Sequence, residues 1–385
     1  MTDTTHMTSI QRPPWRAVLM VAGILAGCGG GGSDSEHEWQ STTSTPSGII
    51  SGGPVIIRAG GDNADEAILP ENYHLHDMQG FSGRWYQSYA NAALKLLISG
   101  LGPKKLLDHL ENFKNGTHSA DERAAATQFM ALIHQAYTPY SSVDTTAFID
   151  GLQNLAPFNK RNAAGKLEFK FEADGFPQER DPEQFLALFS ELFRLDTLPG
   201  WGVDVLETYH RPGEQKTQQA AKNRFEMFLP INLARVTAEQ ATGITLQKVL
   251  DLLQADEETQ LPWNEGDAAK TSVRVSRQIS IPDVEHLERL SISLRGAAPK
   301  ALTLSLEAPV TLTAVNAKTQ QKILLTLTPE ADISQVGERY HVHIKTRSGR
   351  WMAHDDVIVR PVNASENDEL VKLINFAVTR IAPAP

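Results

Sequence analysis

The chain has 385 residues, 41% of them hydrophobic and 21% charged, enough for one large domain or two modest ones around a substantial buried core. Its formal net charge of −10 argues against nucleic acid as a partner, because phosphate binding needs a basic stripe. The single cysteine, Cys28, excludes an intrachain disulfide and a cysteine-based zinc site, and no motif calls for a metal or cofactor.

The first stretch, 1–28, reads as a targeting segment. Arg12 and Arg16 form a positive n-region, Ala17 to Ala26 a short apolar run, and small residues precede Cys28. The run is too short to span a bilayer and has the layout of a secretory signal peptide. Leu25, Ala26, Gly27 and Cys28 resemble the lipobox of bacterial lipoproteins. That resemblance implies cleavage before Cys28 and acylation of its sulfur, with buried methylenes worth roughly 0.8 kcal/mol each as the membrane anchor. An ordinary cleavable signal is the alternative. Gly29 follows the cysteine where an Asp would favour inner-membrane retention, so the resemblance implies the cell envelope at the outer membrane, with surface display or release as further options. Residues 29–70, rich in Gly, Ser and Thr, read as a flexible tether in which Val55 to Ile57 is a short apolar patch.

Residues 71–200 read as a helical half. Ala90, Leu94 and Leu97 share one face at helical spacing, as do Phe185, Leu188, Phe189 and Leu192. Ser119 with Glu122 forms a capping box ahead of a helix containing Phe129, Leu132 and Ile133. Residues 225–362 read as a strand-rich half, opened by Phe228, Leu229 and Ile231 and interrupted by a short helix around Leu246 to Leu253. Strands follow at Leu290 to Leu294, Leu302 to Leu306, Ile323 to Leu327, Tyr340 to Lys345 and Val357 to Val359, several alternating with period two. Residues 363–385 read as a tail with an amphipathic helix from near Ser365 through Leu370, Leu373, Ile374 and Ala377. Helices first and strands later predict an α+β domain.

Three boxes resemble the ubiquitin-specific protease family. In SYANAALKLL, Ser88 to Leu97, the positions Tyr89, Asn91, Ala92 and Leu94 fit the family's motif, but its nucleophile cysteine is Ser88. In QERDPEQFLALF, Gln178, Asp181, Phe185 and Leu186 match. In RYHVHIKTRSGRWMAHDDVIV, Tyr340, Gly349, Trp351, Asp355 and Asp356 match. The palm-strand segment FEMFLPINL, the helix ITLQKVLDLL and the strand LERLSISLRG follow in the family's order. The resemblance spans about Gly80 to Val359 and implies a papain-like α+β hand, with helical thumb and antiparallel β palm, over 71–362. The paired cysteines of the family's zinc fingers are absent.

Papain-type hydrolysis needs a thiolate at a helix N-terminus, a histidine base oriented by Asp or Asn, and an oxyanion donor. Against that requirement the resemblance puts Ser88 at the nucleophile, Gly83 at the oxyanion residue and Asp355 at the orienting carboxylate. Gln87 or Gln79 could replace the missing donor. Keeping Tyr340 in register puts Arg339 at the histidine, and arginine cannot act as a base; a shorter turn would select His341. Residues 339, 341 and 343 alternate onto one strand face. Plainer roles stand beside these: Ser88 as a helix N-cap, His341 and His343 as strand residues on a polar face, Asp355 and Asp356 as turn caps, Trp351 and Phe185 as core.

The favoured reading is a pseudo-deubiquitinase that binds ubiquitin, or another extended peptide, without cleavage. One alternative is an active hydrolase using Ser88, His341 and Asp355; another is a structural or adhesion lipoprotein whose resemblance reflects ancestry alone. Because bacteria generally lack ubiquitin, the first reading implies a host's ubiquitin or ubiquitin-like protein as partner.

Overall fold

The computed structural model describes residues 78–83, 87–138, 143–163, 165, 167, 169, 181–210, 217–226, 228–236, 244–262, 270–296, 304–337, 339–346, 348–362 and 370–384. The signal, Cys28, the tether and Val55 to Ile57 lie outside the described residues, as do Gln178 and the Leu302 end of one expected strand.

The helical half follows its sequence closely. Helix α1 (Ser88–Leu101) is Ala- and Leu-rich, and all 14 of its residues are buried, as expected of a helix apolar nearly all round. It stops at Gly102, whose φ of +79° suits glycine, and Pro103 then opens α2 (Pro103–Lys114). Helix α3 (Ala120–Ala136) carries the expected capping box: Glu122 N donates to Ser119 Oγ at 3.2 Å, and Ser119 N to Glu122 Oε2 at 2.8 Å. Helix α4 (Thr146–Leu152) follows, and α5 (Pro182–Phe193) is capped by Asp181, which accepts from Glu183 N at 2.8 Å. Phe129, Phe148, Phe185, Phe189 and Phe193 interlock between α3, α4 and α5. Two short strands, β1 (Phe81–Ser82) and β2 (Val143–Asp144), pair in parallel beside the start of α1.

The strand half adds β3 (Val203–His210), β4 (Thr217–Glu226), β5 (Leu229–Asn232), helix α6 (Leu246–Gln254), β6 (Glu257–Pro262), β7 (Lys270–Ile281), β8 (Arg289–Arg295) and β9 (Val310–Asn316). Then come β10 (Lys322–Val336), β11 (Arg339–Lys345), β12 (Trp351–Asp355), β13 (Ile358–Val362) and β14 (Leu370–Pro383). The sheet runs β13-β12-β11-β10-β9-β7-β3-β4, with β14 pairing both β10 and β8. Strand β10 is long enough to pair with β9 at its start and β11 at its end while β14 runs along it.

Two expectations are corrected. The C-terminal helix is strand β14, antiparallel to β10 over most of its length and to β8 over Leu373 to Ala377. It is paired on both edges, and Leu373 to Ala377 are buried without alternation, so both faces are covered and the period-two signal is absent from this segment. Leu304 and Leu306, expected in a strand, are buried without strand pairing.

The core lies in two clusters. One joins the helices to Ala331 and Ile333 of β10 and to Tyr340, Val342 and Ile344 of β11; the other lies among the strands and includes Trp351, Val371 and Phe376. Strand β11 is therefore where α1 meets the sheet.

Candidate functional site

Strand β11 fixes the site by its alternation. Tyr340, Val342 and Ile344 point into the helical core, so Arg339, His341 and His343 take the other face. Ser88, the first residue of α1, meets this strand: its Oγ accepts from Tyr340 N at 3.3 Å, and the residue is 3% exposed. The N-cap is Gln87, without a side-chain cap bond, so Ser88 is not the helix cap. Its place at the positive end of α1 would favour an anionic nucleophile, but a serine hydroxyl is far less acidic than a thiol.

The carboxylates come from β12. Val342 pairs with His354, which carries Asp355 to the outer face beside His341. His341 Nε2 stands 3.3 Å from Asp355 Oδ1. Arg339 spans both acids, with Nη1 3.8 Å from Asp355 Oδ1 and Nη2 2.7 Å from Asp356 Oδ2. Asp355 is thus shared by Arg339 and His341. Asp356 sits in the turn to β13 at φ +49°. Among the described residues no hydrogen bond joins Ser88 to His341.

Gly83 lies on the helical side of the same junction. A Cβ there would stand 3.1 Å from Asn91 Nδ2 and Gln87 Oε1, and 3.2 Å from Thr145 Oγ1. These side chains are engaged with one another or their surroundings. Thr145 Oγ1 is 2.5 Å from Asn91 Oδ1, Asn91 Nδ2 reaches Asp356 Oδ1 at 3.4 Å, and Gln87 Nε2 donates to Asp150 Oδ1 at 3.1 Å. An asparagine at 83 would have to push into that cluster.

Three buried polar residues were missed or misjudged by the sequence reading. Lys95, in the middle of α1, is 1% exposed; its Nζ donates to Asp356 O at 2.7 Å and lies 5.1 Å from the Phe81 ring centre. Burial drives the Lys95 ammonium down to about 7, against the opposing pull of Asp356 and Asp355. His354 is buried on the α1 side of β12, and burial, Lys95 and His343 hold its imidazole well below the usual histidine range. His343, expected on a polar face, is buried with Nδ1 3.1 Å from Asp332 Oδ2. The available signals were a lysine inside an otherwise apolar helix and an aspartate inside the apolar alternation of β10. Trp351 and Phe185 are core, as expected.

No protein-family model matches the sequence, and no curated protein matches it either. Solved structures do. The fold is similar to that in the SAGA DUB module Ubp8/Sgf11/Sus1/Sgf73 bound to monoubiquitin, with a TM-score of 0.52 and 13% identity, covering 83% of this chain and 74% of that one. It is similar to the same module bound to ubiquitin aldehyde, with a TM-score of 0.52, 11% identity and coverage of 83% and 74%. A yeast SAGA DUB module carrying an Sgf73 mutant gives a TM-score of 0.52, 12% identity and coverage of 83% and 73%. The chain therefore has a fold like that of a ubiquitin-specific protease, with helices packed on a large mixed sheet.

Proposed function

We propose that this chain is a ubiquitin-specific-protease-like domain that binds ubiquitin, or an extended peptide, without cutting it. The observation that carries the reading is Arg339. If it stands at the base position, its guanidinium stays protonated, lies 2.7 Å from Asp356 and reaches toward Asp355, and it can take no proton from a nucleophile. A hydroxyl at Ser88 where the family carries a thiol, and Gly83 without a donor side chain, support the same reading. The fold's neighbours are complexes with monoubiquitin and ubiquitin aldehyde, which motivates the choice of ligand. The test is calorimetric titration with ubiquitin beside turnover of a fluorogenic ubiquitin substrate. Binding with no turnover is expected; turnover that disappears in Ser88→Ala would overturn the reading.

A second reading is a serine hydrolase built from Ser88, His341 and Asp355, favoured by the 3.3 Å approach of His341 Nε2 to Asp355 Oδ1. It requires covalent labelling of Ser88 by a fluorophosphonate, lost in His341→Ala. We also propose that a diacyl group on Cys28 holds the domain at the outer membrane, which display or release would bring to host ubiquitin. Mass spectrometry of the mature N-terminus checks the lipid, and Cys28→Ala should abolish it.

A further inference from the structure

Two buried bases face one another behind the turn that carries Asp355 and Asp356. Lys95 projects from α1, and its Nζ donates to Asp356 O at 2.7 Å. The same carbonyl accepts Phe81 N at 2.9 Å, so both of its lone pairs are used. His354 lies on β12 opposite Val342, hence on the α1 side, and is 1% exposed with neither ring nitrogen hydrogen-bonded. Gly80 seats the turn from below: a Cβ there would fall within 2.4 Å of Val357 backbone atoms. The turn is therefore held flush on α1 and β1, and both bases behind it are about 1% exposed.

We propose that Lys95 and His354 form an acid-sensitive latch: while they are uncharged the Asp355–Asp356 turn stays seated on α1, and proton uptake by the two bases unseats it. A neutral Lys95 amine still donates to Asp356 O, so the seat survives loss of the charge. A charged Lys95 is buried there, and the attraction of Asp356 and Asp355 does not make up for that burial. His354 is worse placed, since Lys95 and His343 both oppose its proton. His343 itself is bonded to Asp332 of β10, and Arg339 holds the two carboxylates from the outer face of β11. Lifting the turn hydrates both bases and returns them toward their ordinary values, so the lifted state binds more protons. By linkage, lifting is favoured as pH falls: through Lys95 between its ordinary value and about 7, and through His354 below the usual histidine range. Because Asp356 also bonds Asn91 and Arg339, lifting frees Arg339 and alters the face offered to a partner. The latch depends on the fold alone, so its failure and that of the ubiquitin reading are separable.

The test is amide hydrogen exchange of the Phe81 N–H on the full mature chain, corrected for intrinsic rates, at about pH 8.5, 7 and 5.5. In the wild type the protection factor should fall at least about tenfold across this range, and in the Lys95→Met, His354→Phe double variant it should stay flat. His354→Phe alone should remove only the fall below neutrality, which keeps the test open if the double variant does not fold. Protection independent of pH in the wild type, or an unchanged fall in the variants, would overturn the latch.

Discussion

Arg339 Nη2 and Asp356 Oδ2 stand 2.7 Å apart at the open end of the β11–β12 pair. The pair is only partly buried, with side-chain exposures of 49% and 19%, so its contribution to folding is small. Arg339→Ala should cost about 0–1 kcal/mol in thermal denaturation. Asp356→Ala should cost more, because the carboxylate also meets Asn91 and the backbone sits at φ +49°. Asp356→Gly should recover about 1–2 kcal/mol of the difference, since glycine takes that conformation without strain. Equal losses for all three variants would show that the ion pair, and not the turn, holds this corner.

Ser88→Ala separates a structural from a chemical role. The change removes the acceptor of Tyr340 N–H at a buried position and should cost about 1–3 kcal/mol. On the proposed reading it leaves ubiquitin binding intact and alters no turnover. Loss of measurable hydrolysis in a variant that stays folded would favour the serine hydrolase instead.

Much of this architecture was legible where local chemistry and burial agree. The Ser119–Glu122 box, the apolar faces of α1 and α5, the helix at 246–254 and the alternation of β11 each carry their own signal. Strand β4 does not: TQQAAKNRFE has no apolar alternation, and its extended state follows from pairing with β3. In β14, burial of both faces over Leu373 to Ala377 leaves no period-two signal to set it apart from a helix. At the site, the spacing of Ser88, Arg339, His341 and Asp355 could be read from the chain, and the structure brings Asp355 to both Arg339 and His341. What no spacing could reveal is that Lys95 and His354, far apart in sequence, are buried behind the same turn.

Gly80→Ala tests how tightly that turn is seated. Its Cβ would stand 2.3 Å from Val357 O and 2.4 Å from Val357 Cα, backbone atoms that no rotamer change can move aside. Overpacking of this kind costs about 1–3 kcal/mol. The variant's melting temperature should fall by roughly 2–4 °C per kcal/mol. A variant as stable as the wild type would mean that the turn moves away freely, and that the close approach of Gly80 does not seat it.

Asp332 sets the last prediction, because it is fully buried on β10 yet lies outside the proposed site. Its Oδ2 accepts from Ser334 Oγ at 2.7 Å and meets His343 Nδ1 at 3.1 Å, while Oδ1 has no partner. Ser334→Ala removes one neutral donor and should cost about 0.5–1.5 kcal/mol in urea denaturation. Asp332→Ala removes the acceptor for both neighbours; if His343 carries a proton here, that leaves a buried charge uncompensated and should cost about 3–5 kcal/mol. If His343 is neutral, the loss falls nearer that of Ser334→Ala, and the double variant with His343→Phe recovers little. The ratio of the two urea midpoints therefore reports the protonation of His343, one of the two groups that oppose a charge on His354.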